Sequence, residues 1–517
     1  MNQTSRQCAQ TRNAILLPAI LLGVYLCALL ARFAGPLSLS YFTDDFFYYA
    51  QIARHLADDG HSTFNGLQQT NGYHPLWLAA LAGVHVATGG GTLFLVATVL
   101  LVFALVGGFW LALRALQRQT SPGSPYNLPT LLFSLFFGAT IARTGMEVGA
   151  VLFFLGWFWA RMAARPIEHQ SASEAFASGL LASLAILSRV DGLIAIVLYG
   201  ALSLVAARGR LPALLRNGFF FGLGLLPVAA YVVSNKLLFD TLLPISGMAK
   251  NLKSAWPPSP VPVAWLFKPN FVNIVLTWPS LALGAAYLAR ALAGDARTLN
   301  GPQRVRLCVL LHPLLFLGAL SVSGDWPLWT WYLYPFAFFA AVLGPAVLAT
   351  APARLAPGRR ANWAFAAALA LMAAFFARPT PGSVSILRAS EQIAAFESTH
   401  KGVYAMGDRS GTVGYLLGSP LVQLEGLVGD RAFYEKLKAG PPLADVLRDY
   451  KIDYYVATGL PREQGCYLAR EPSQAGPLSP TMRGGLCAEP VAVFENSGFE
   501  TQIFDKSAWA RAASAAR

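Results

Sequence analysis

Blocks of apolar residues, each about 20 residues long, alternate with short polar segments from residue 14 to residue 378. Clear examples are Ala14–Phe33, Leu93–Leu113, Phe271–Leu292 and Leu328–Ala349. A helix of about 20 apolar residues crosses the hydrocarbon core of a bilayer, so the blocks predict a polytopic α-helical membrane protein. The first block is longer than the apolar region of a signal peptide and no small-residue cleavage site follows it, so we predict a transmembrane helix there.

The composition agrees with a membrane protein and raises the question of the basic charge. Charged residues make up 13% of the chain, about half of the 25% that is typical of soluble domains. The net charge of +13 would suit a nucleic-acid-binding protein. The arginines and lysines, however, cluster at one end of successive apolar blocks, which is the positive-inside pattern of membrane proteins. The predicted partner is therefore the lipid bilayer, and no nucleic acid is expected.

The basic clusters also predict the orientation of the chain. Arg6 and Arg12 precede the first apolar block, which places the N-terminus in the cytoplasm and Asp44 and Asp45 outside. Later cytoplasmic groups are Arg114 with Arg118, Arg161 with Arg165, Arg208 with Arg210 and Arg216, Arg304 with Arg306, and Arg354 with Arg359 and Arg360.

Between these groups we predict about eleven spans, an odd number, which places the C-terminus outside. They lie at residues 14–33, 92–116, 128–143, 146–162, 174–189, 191–207, 214–235, 270–292, 306–323, 328–350 and 361–378. Pro75–Val86 is apolar but too short for an upright span, so we predict a short helix there that is either interfacial or partly inserted in the membrane.

Two domains follow from the change in composition after residue 378. Residues 1–378 form the predicted transmembrane domain, whose first outer loop covers about residues 34–91. Residues 379–517 form a small soluble α/β domain, the tail. Its predicted elements are strands near Gly402–Met406, Tyr454–Ala457, Val491–Phe494 and Thr501–Phe504, and helices near Ala432–Leu437 and Leu443–Tyr450.

The five cysteines divide between the two domains. Cys8, Cys27 and Cys308 belong to the cytoplasmic or membrane part, whereas Cys466 and Cys487 lie in the outer domain. Because disulfides persist outside the cytoplasm, we predict that Cys466 pairs with Cys487. The alternative is that both are unpaired thiols.

Polar residues that are unusual beside apolar spans gather in the predicted outer turns. Ionisable side chains at membrane depth are costly and are therefore candidates for function. Several outer turns contribute them, which predicts a polar cavity at the outer surface that opens toward lipid. The residues are Asp44, Asp45 and Tyr49, then Asn71, Tyr73 and His74, then Arg143 with Glu147, Arg189 with Asp191, Lys236 with Lys250, and Asp325.

This set suits the transfer of a sugar from a phosphate. Asp44 or Asp45, ionised at a helix N-terminus, would accept a proton from the attacking hydroxyl, while a phosphate leaving group needs no general acid. Arg189, Lys250, Arg143 or His74 would hold the phosphate. The sequence contains no Walker loop and no dinucleotide fingerprint.

Each candidate also has an ordinary structural interpretation. Asp44 and Asp45 would be first-turn acids behind an N-cap at Thr43. The remaining alternatives are an Arg189–Asp191 ion pair, a solvated Lys250, a helix-capping His74, and an i,i+4 pair of Arg143 with Glu147.

Short motifs in the outer loops and the tail resemble those of a known family. In chain order they are Thr43–Tyr49, Phe64–Gly66, Thr70–Trp77, Gly145–Glu147, Ser188–Gly192, Gly324–Trp326, Gly407–Gly411 and Leu424–Val428. Together, from about residue 14 to 460, they resemble the bacterial GT-C glycosyltransferases. The chain is most similar to relatives of the mycobacterial arabinofuranosyltransferases, and also resembles the protein mannosyltransferase and aminoarabinose transferase branches.

The resemblance implies a GT-C fold in the bacterial inner membrane and an inverting transfer from a polyprenyl-phosphate sugar to a cell-envelope glycan, lipid or protein. It implies that the outer-loop Asp is the base; Asp44 matches the usual position best, and Asp45 is adjacent. Some branches bind a divalent metal and others do not, so the question whether Asp45 and Glu147 bind Mg²⁺ or Mn²⁺ stays open. The segment Asn71–Pro75 departs from the arabinofuranosyltransferase pattern, which leaves the sugar open.

Two other functions compete with this interpretation. A lipid or sugar transporter, or flippase, would place polar residues near the bilayer midplane on broken helices, often with an internal repeat. Here they lie at the outer ends of the spans, and the sequence shows no repeat. An envelope assembly or receptor protein would use the tail as its working part, whereas we interpret the tail as an acceptor-binding or lid domain.

Overall fold

The computed structural model describes residues 3–33, 35, 37–206, 209–253, 256–295 and 299–510. A bundle of apolar helices occupies the first part of the chain, and the tail packs on one end of that bundle. In chain order the helices of the first part are α1 Gln3–Leu30, α2 Asp44–Asp58, α3 Pro75–Thr88, α4 Gly91–Thr120, α5 Asn127–Ala142, α6 Val148–Ala164, α7 Ala172–Ser188, α8 Leu193–Ala206, α9 Leu211–Gly224, α10 Leu226–Phe239, α11 Ile245–Lys250, α12 Val261–Ala264, α13 Trp278–Arg290, α14 Gly301–Ser323, α15 Phe339–Leu348 and α16 Arg359–Phe376.

Within the described ranges, six helical segments are long and apolar enough to cross a membrane, and each overlaps a predicted span. They are Asn13–Leu30, Gly91–Thr120, Asn273–Ala293, Gly301–Ser323, Thr330–Leu348 and Arg359–Thr399. The shorter apolar helices α5, α6, α7 and α8 cover four further predicted spans. The prediction of a multi-pass helical membrane protein is confirmed, and the number eleven stays a prediction.

The predicted span 214–235 is not one straight helix. It is a pair, α9 and α10, that bends by 47° at Leu225, just before Pro227 in the first turn of α10. Proline has no N–H and its ring clashes with the preceding turn, so a helix kinks there. Gly179 and Gly224 let α7 and α9 approach closely, because a Cβ on Gly179 would lie 2.0 Å from the carbonyl oxygen of Phe221.

The segment Thr330–Phe338 is a 3-10 helix before α15 begins, where the sequence predicts a single span. Pro335 lies inside it and offers no N–H to an α-helical ladder. The tighter winding places Tyr332 and Tyr334 on the side of Arg189, whose guanidinium carbon lies 5.0 Å and 5.2 Å from their ring centroids. This aromatic segment therefore belongs to the polar end of the bundle as well as to its core.

The helix α3 packs along α2. Its last turn brings the His85 ring to 5.7 Å from Phe94 in the first turn of α4, and Phe94 also packs on Phe46 of α2 at 6.3 Å. Both ends of α3 thus lie beside α2. We call this the site end of the bundle, because the polar residues of the predicted outer turns gather there.

The opposite end of the bundle carries many of the predicted cytoplasmic arginines. Arg304 at the start of α14 makes a buried two-point pair with Glu168, with one N–H···O distance of 2.9 Å. Arg161 donates to the Ser178 hydroxyl at 2.6 Å. The basic residues therefore collect at the end of the bundle farthest from the tail.

In its described residues, 379–510, the tail contains two sheets and several helices. The helices are α17 Pro381–Thr399, α18 Ser410–Leu416, α19 Arg431–Ala439 and α20 Leu443–Asp449. The strands are β1 Tyr404–Met406, β2 Leu421–Gln423, β3 Tyr454–Thr458, β4 Arg462–Glu463, β5 Cys466–Glu471, β6 Met482–Leu486, β7 Ala492–Asn496 and β8 Phe499–Asp505.

The larger sheet has the order β2-β1-β3-β8-β7, in which β1 runs parallel to β2 and β3 while β8 is antiparallel to β3 and β7. The smaller sheet, β4-β5-β6, was not predicted, nor were α17, α18 and β2. A disulfide joins Cys466, the first residue of the central strand β5, to Cys487, which directly follows β6. Tyr467 of that sheet packs on Phe504 of the larger one, with ring centroids 5.2 Å apart.

Candidate active site

A cavity of about 480 Å³ opens at the site end of the bundle. Its walls come from α2, from the turns before α6 and α8, from α11, from α14 and from the segment that follows α14. The tail contributes Leu427 and Tyr434. Of the residues predicted to form a site, those that line the cavity are Asp45, Tyr49, His74, Glu147, Arg189, Asp191 and Lys250.

The two neighbouring aspartates of α2 point in different directions. Asp45 lines the cavity, whereas Asp44 faces the tail and accepts hydrogen bonds from the backbone N–H groups of Gly411 and Thr412, both at 2.8 Å. The Thr412 hydroxyl donates a third bond at 2.7 Å. Because successive residues of a helix point about 100° apart, α2 turns one carboxylate toward the cavity and the other toward the tail.

The surroundings of Asp45 raise its basicity. Removal from water raises the pKa of Asp45 to about 6, and the nearby Lys250 opposes that rise. The carboxylates of Asp44, Asp408 and Glu147 also contribute to the rise, and the pKa of about 6 is the result of all these influences together. A group with such a pKa is ionised near neutral pH and still accepts a proton readily, which suits a general base.

Lys250 is the cation that faces Asp45 across the cavity. It ends α11, and its Nζ donates to the Tyr332 hydroxyl at 3.4 Å. The same ammonium lies 5.8 Å from the ring centroids of Trp326 and Tyr332. Among the described carboxylates, none lies within ion-pair distance of Lys250, so its charge is available to an anion in the cavity.

Glu147, Arg189 and Asp191 form a chain of charges along one wall. Arg189 is 2% exposed; its guanidinium donates to Asp191 at 2.7 Å and also to Glu147. The Tyr334 hydroxyl donates to Asp191 at 3.1 Å. The predicted Arg189–Asp191 ion pair is present, but it continues to Glu147, so the arginine is held by two acids and shielded by two aromatic rings.

His74 joins this wall to the first loop. Its Nδ1 accepts the Val190 N–H at 3.4 Å, and its Nε2 lies 3.8 Å from Glu147. Burial lowers the pKa of His74, so the ring is neutral and Nε2 carries the proton that faces Glu147. The Tyr49 hydroxyl accepts the backbone N–H of His74 at 3.2 Å, which ties α2 to the start of α3.

The other residues predicted for the site do not line the cavity. Asn71 binds the loop before α11, donating to Thr241 at 2.8 Å and accepting from the Ile245 N–H at 3.1 Å, so it positions the helix that carries Lys250. Tyr73 is hydrogen-bonded to Ser62 at 2.7 Å. Arg143 lies beside Tyr25 of α1, which removes it from phosphate binding.

Asp325 and Lys236 are also outside the cavity. Asp325 is fully buried. Its carboxylate accepts hydrogen bonds from the Leu478 N–H at 2.6 Å and from the Ser259 hydroxyl, so it anchors the tail. Lys236 is exposed and forms an i,i+4 pair with Asp240 on the surface.

Several cavity residues were not singled out from the sequence. The aromatic residues among them are Tyr48, Phe316, Trp326, Trp331, Tyr332 and Tyr434. The stretch from Trp326 to Tyr334 contains five aromatic residues among apolar ones, and it was assigned to a span because its hydropathy resembles that of one. Tyr434 lies in a predicted tail helix, whose docking on the bundle the sequence does not reveal.

The site has no evident metal centre in the part of the chain that the structure describes. No group of three or more His, Cys, Asp or Glu side chains there is arranged to hold a metal ion. Of the two candidate ligands, Glu147 is engaged by Arg189 and Asp45 faces Lys250. This donor set does not fit Mg²⁺ or Mn²⁺, which prefer several oxygen ligands.

No protein-family model and no curated protein matches the chain. Solved structures do resemble it. ArnT from Cupriavidus metallidurans bound to undecaprenyl phosphate has a TM-score of 0.54 at 13% identity, over 86% of this chain and 93% of that one. ArnT in the apo state has a TM-score of 0.52 at 14% identity, over 96% and 99%.

A third similar structure is the archaeal oligosaccharyltransferase AglB from Archaeoglobus fulgidus, in complex with an inhibitory peptide and a dolichol-phosphate. Its TM-score is 0.51 at 11% identity, over 86% of this chain and 69% of that one. ArnT and AglB are both GT-C proteins. The predicted GT-C fold, a helical membrane domain followed by a small C-terminal sheet domain, is therefore confirmed.

Proposed function

We propose that this protein is an inverting glycosyltransferase that moves a sugar from a polyprenyl-phosphate donor to a hydroxyl group of a cell-envelope acceptor. The observation that supports it most is that Asp45 and Lys250 line one cavity at the end of a membrane bundle. A carboxylate that accepts a proton and a cation that binds a phosphate are the two charges that this reaction needs.

The reaction is a single displacement. The acceptor hydroxyl attacks the anomeric carbon of the donor sugar, and Asp45 takes the proton of that hydroxyl. The new bond joins the acceptor oxygen to the anomeric carbon, while the bond from that carbon to the phosphate oxygen breaks. The electron pair of the broken bond leaves on the lipid phosphate, whose negative charge Lys250 stabilises.

The cavity offers separate surfaces for the lipid, the sugar and the acceptor. Phe316, Ala319 and Leu320 line it from α14, an apolar helix of membrane-spanning length, so a polyprenyl chain would approach along that face. The lipid phosphate bound to ArnT and the dolichol-phosphate bound to AglB are ligands of this chemical class. Leu427 and Tyr434 of the tail form the opposite wall, where an acceptor would enter.

The orientation is part of the proposal. Arginines gather at the end of the bundle opposite the cavity, as expected if that end faces the cytoplasm. The cavity and the tail would then lie on the periplasmic side of a bacterial inner membrane, with the N-terminus in the cytoplasm.

The test is transfer in reconstituted membranes with a panel of polyprenyl-phosphate sugars and envelope acceptors. We expect transfer by the wild type and a loss of about a hundredfold or more in kcat for Asp45→Asn, since general-base catalysis contributes about 10²–10⁴. Equal transfer by both proteins would remove Asp45 from the mechanism. Absence of transfer with every donor, together with lipid movement between leaflets, would favour the transporter.

A further inference from the structure

The tail contacts α2 at the turn that carries the candidate base. Asp44 accepts three hydrogen bonds from the first turn of α18, two from backbone N–H groups and one from the Thr412 hydroxyl. One helical turn later, the Tyr48 hydroxyl is hydrogen-bonded to the Ser410 hydroxyl at 3.0 Å, in a buried position. Residues four apart share one face of a helix, so this face of α2 is bound to the tail at two points.

The two helices approach so closely that glycine is required between them. A Cβ on Gly411 would lie 2.2 Å from the Asp44 carbonyl oxygen, and a Cβ on Gly414 would lie 2.3 Å from the Phe64 ring. The rings of Phe47 and Tyr415, tilted against each other with centroids 5.2 Å apart, extend the contact. The interface therefore fixes α2 and α18 relative to each other, and neither can slide without losing several bonds.

The contact between α18 and Asp44 lies directly beside the candidate base. Asp45 follows Asp44 directly in the first turn of α2, where a short helix is least constrained by its own hydrogen bonds. Its Thr43 N-cap makes no side-chain capping bond, so the usual device for fixing a first turn is missing. The backbone N–H and the hydroxyl of Thr43 bond instead to the Thr144 carbonyl oxygen, and the hydrogen bonds from α18 hold the next residue, Asp44.

We propose that Thr412 and Asp44 form a positioning pair through which the tail aims the Asp45 carboxylate at the acceptor hydroxyl. This inference rests on the proposed function of Asp45 and extends it: Asp44 is not a catalytic residue, and the tail takes part in catalysis through α18 without touching the donor. Thr412 is the positioning residue that the tail contributes.

The first experiment compares Thr412→Val, Thr412→Ser and wild-type full-length protein in the reconstituted transfer assay. Valine keeps the branched shape and removes the hydroxyl donor, so we expect kcat to fall about tenfold to a hundredfold, since small displacements of catalytic groups cost up to about a hundredfold. The KM for the lipid donor should change little. Serine keeps the donor and should retain most activity, and Thr399→Val, at an exposed end of α17, is the control.

The pH profile of kcat supplies a readout that mere destabilisation would not move. Asp45 is surrounded by Lys250 on α11, Asp44 on its own helix, Glu147 before α6, and Asp408 and Glu425 in the tail. Lys250 is the group among them that favours the ionised form. If Thr412→Val lets Asp45 move away from Lys250, the acidic limb should shift to higher pH.

A measurement that does not need activity keeps the inference separate from the proposed function. Hydrogen exchange of residues 44–49 in the intact chain should accelerate in Thr412→Val and stay unchanged in Thr412→Ser and Thr399→Val. Unchanged exchange, or a valine variant with wild-type kcat and pH profile, would overturn the positioning pair. If the wild type transfers no sugar, the proposed function fails, and the exchange result still decides whether the tail fixes α2.

Discussion

The two ends of the bundle both contain a buried arginine held by acids, but they differ in what surrounds it. At the basic end, Arg304 meets one acid, Glu168, and both are at most 6% exposed. At the site end, Arg189 meets two acids, Glu147 and Asp191, beside an open cavity. The Arg304–Glu168 pair is neutral and joins two elements, whereas Arg189 with its two acids carries one excess negative charge beside the cavity. The positive charge that would hold a phosphate must therefore come from another residue.

The comparison also explains why a buried ion pair alone is weak evidence for a site. The desolvation of two charges roughly cancels their attraction, so such pairs hold position more than they stabilise. At the site end the informative features are the additional ones: the cation at Lys250 that no described carboxylate pairs with, and the aromatic rings of Trp326 and Tyr332 beside it.

The largest effect should come from removing that cation. Lys250→Met keeps the length of the side chain and removes the charge that would hold the leaving phosphate, so we expect kcat to fall about a hundredfold or more. Lys236→Met, at an exposed lysine of the same predicted loop, is the matched control and should leave kcat near the wild-type value. Equal losses in the two variants would mean that only the general charge of this surface matters.

The same variant should change the pH profile. With a pKa of about 6 for Asp45, the wild-type kcat should fall as the pH drops below about 6, because the base becomes protonated. Since Lys250 lowers the pKa of Asp45, its removal should raise that pKa and move the acidic limb to higher pH. If the acidic limb of the pH profile stayed at the same pH, Lys250 would have no influence on the pKa of Asp45.

A smaller effect on activity is expected when one acid that pairs with Arg189 or with Arg304 is replaced by its amide. Glu147→Gln leaves Arg189 paired with Asp191, so stability should hold while kcat falls about tenfold through the altered cavity wall. Glu168→Gln removes the acid that pairs with Arg304 in the described part of the chain and should cost about 3–5 kcal/mol of stability. Thermal unfolding and kcat per folded molecule measure both. If the two variants behaved alike, the distinction between the ends of the bundle would be lost.

The sequence predicted the features that depend on local pattern. The length of the apolar blocks predicted the spans. Because every second turn of a helical bundle lies at the same end, the order of the spans also predicted that Asp45, Glu147, Arg189 and Lys250 lie close together. The kink before Pro227 and the 3-10 segment around Pro335 were missed, since both were read by hydropathy alone.

The features that the sequence could not reveal depend on contacts between distant segments. Nothing local indicates that Asp44 would bind Gly411 and Thr412, or that the backbone N–H of Gly476 would donate to the Asp325 carbonyl oxygen at 2.6 Å. These contacts turned two residues that were predicted for catalysis or binding into anchors of the tail. An acidic side chain in an outer turn needs a polar partner, but the sequence does not tell whether that partner is a ligand or another part of the protein. For Asp44 and Asp325 the partners are backbone groups of the tail.

The smallest effect should come from removing divalent metal. In the described part of the chain, no group of three or more His, Cys, Asp or Glu side chains is arranged to hold a metal ion at either end of the bundle, and at the site end Lys250 already supplies a positive charge to the cavity. We therefore expect kcat to stay within about twofold after treatment with EDTA, and added Mg²⁺ or Mn²⁺ to have no further effect. The control is Lys250→Met under the same conditions. If EDTA abolished transfer and Mg²⁺ or Mn²⁺ restored it, Asp45 and Glu147 would be assigned as ligands, and the site end would differ from the basic end by a metal rather than by a lysine.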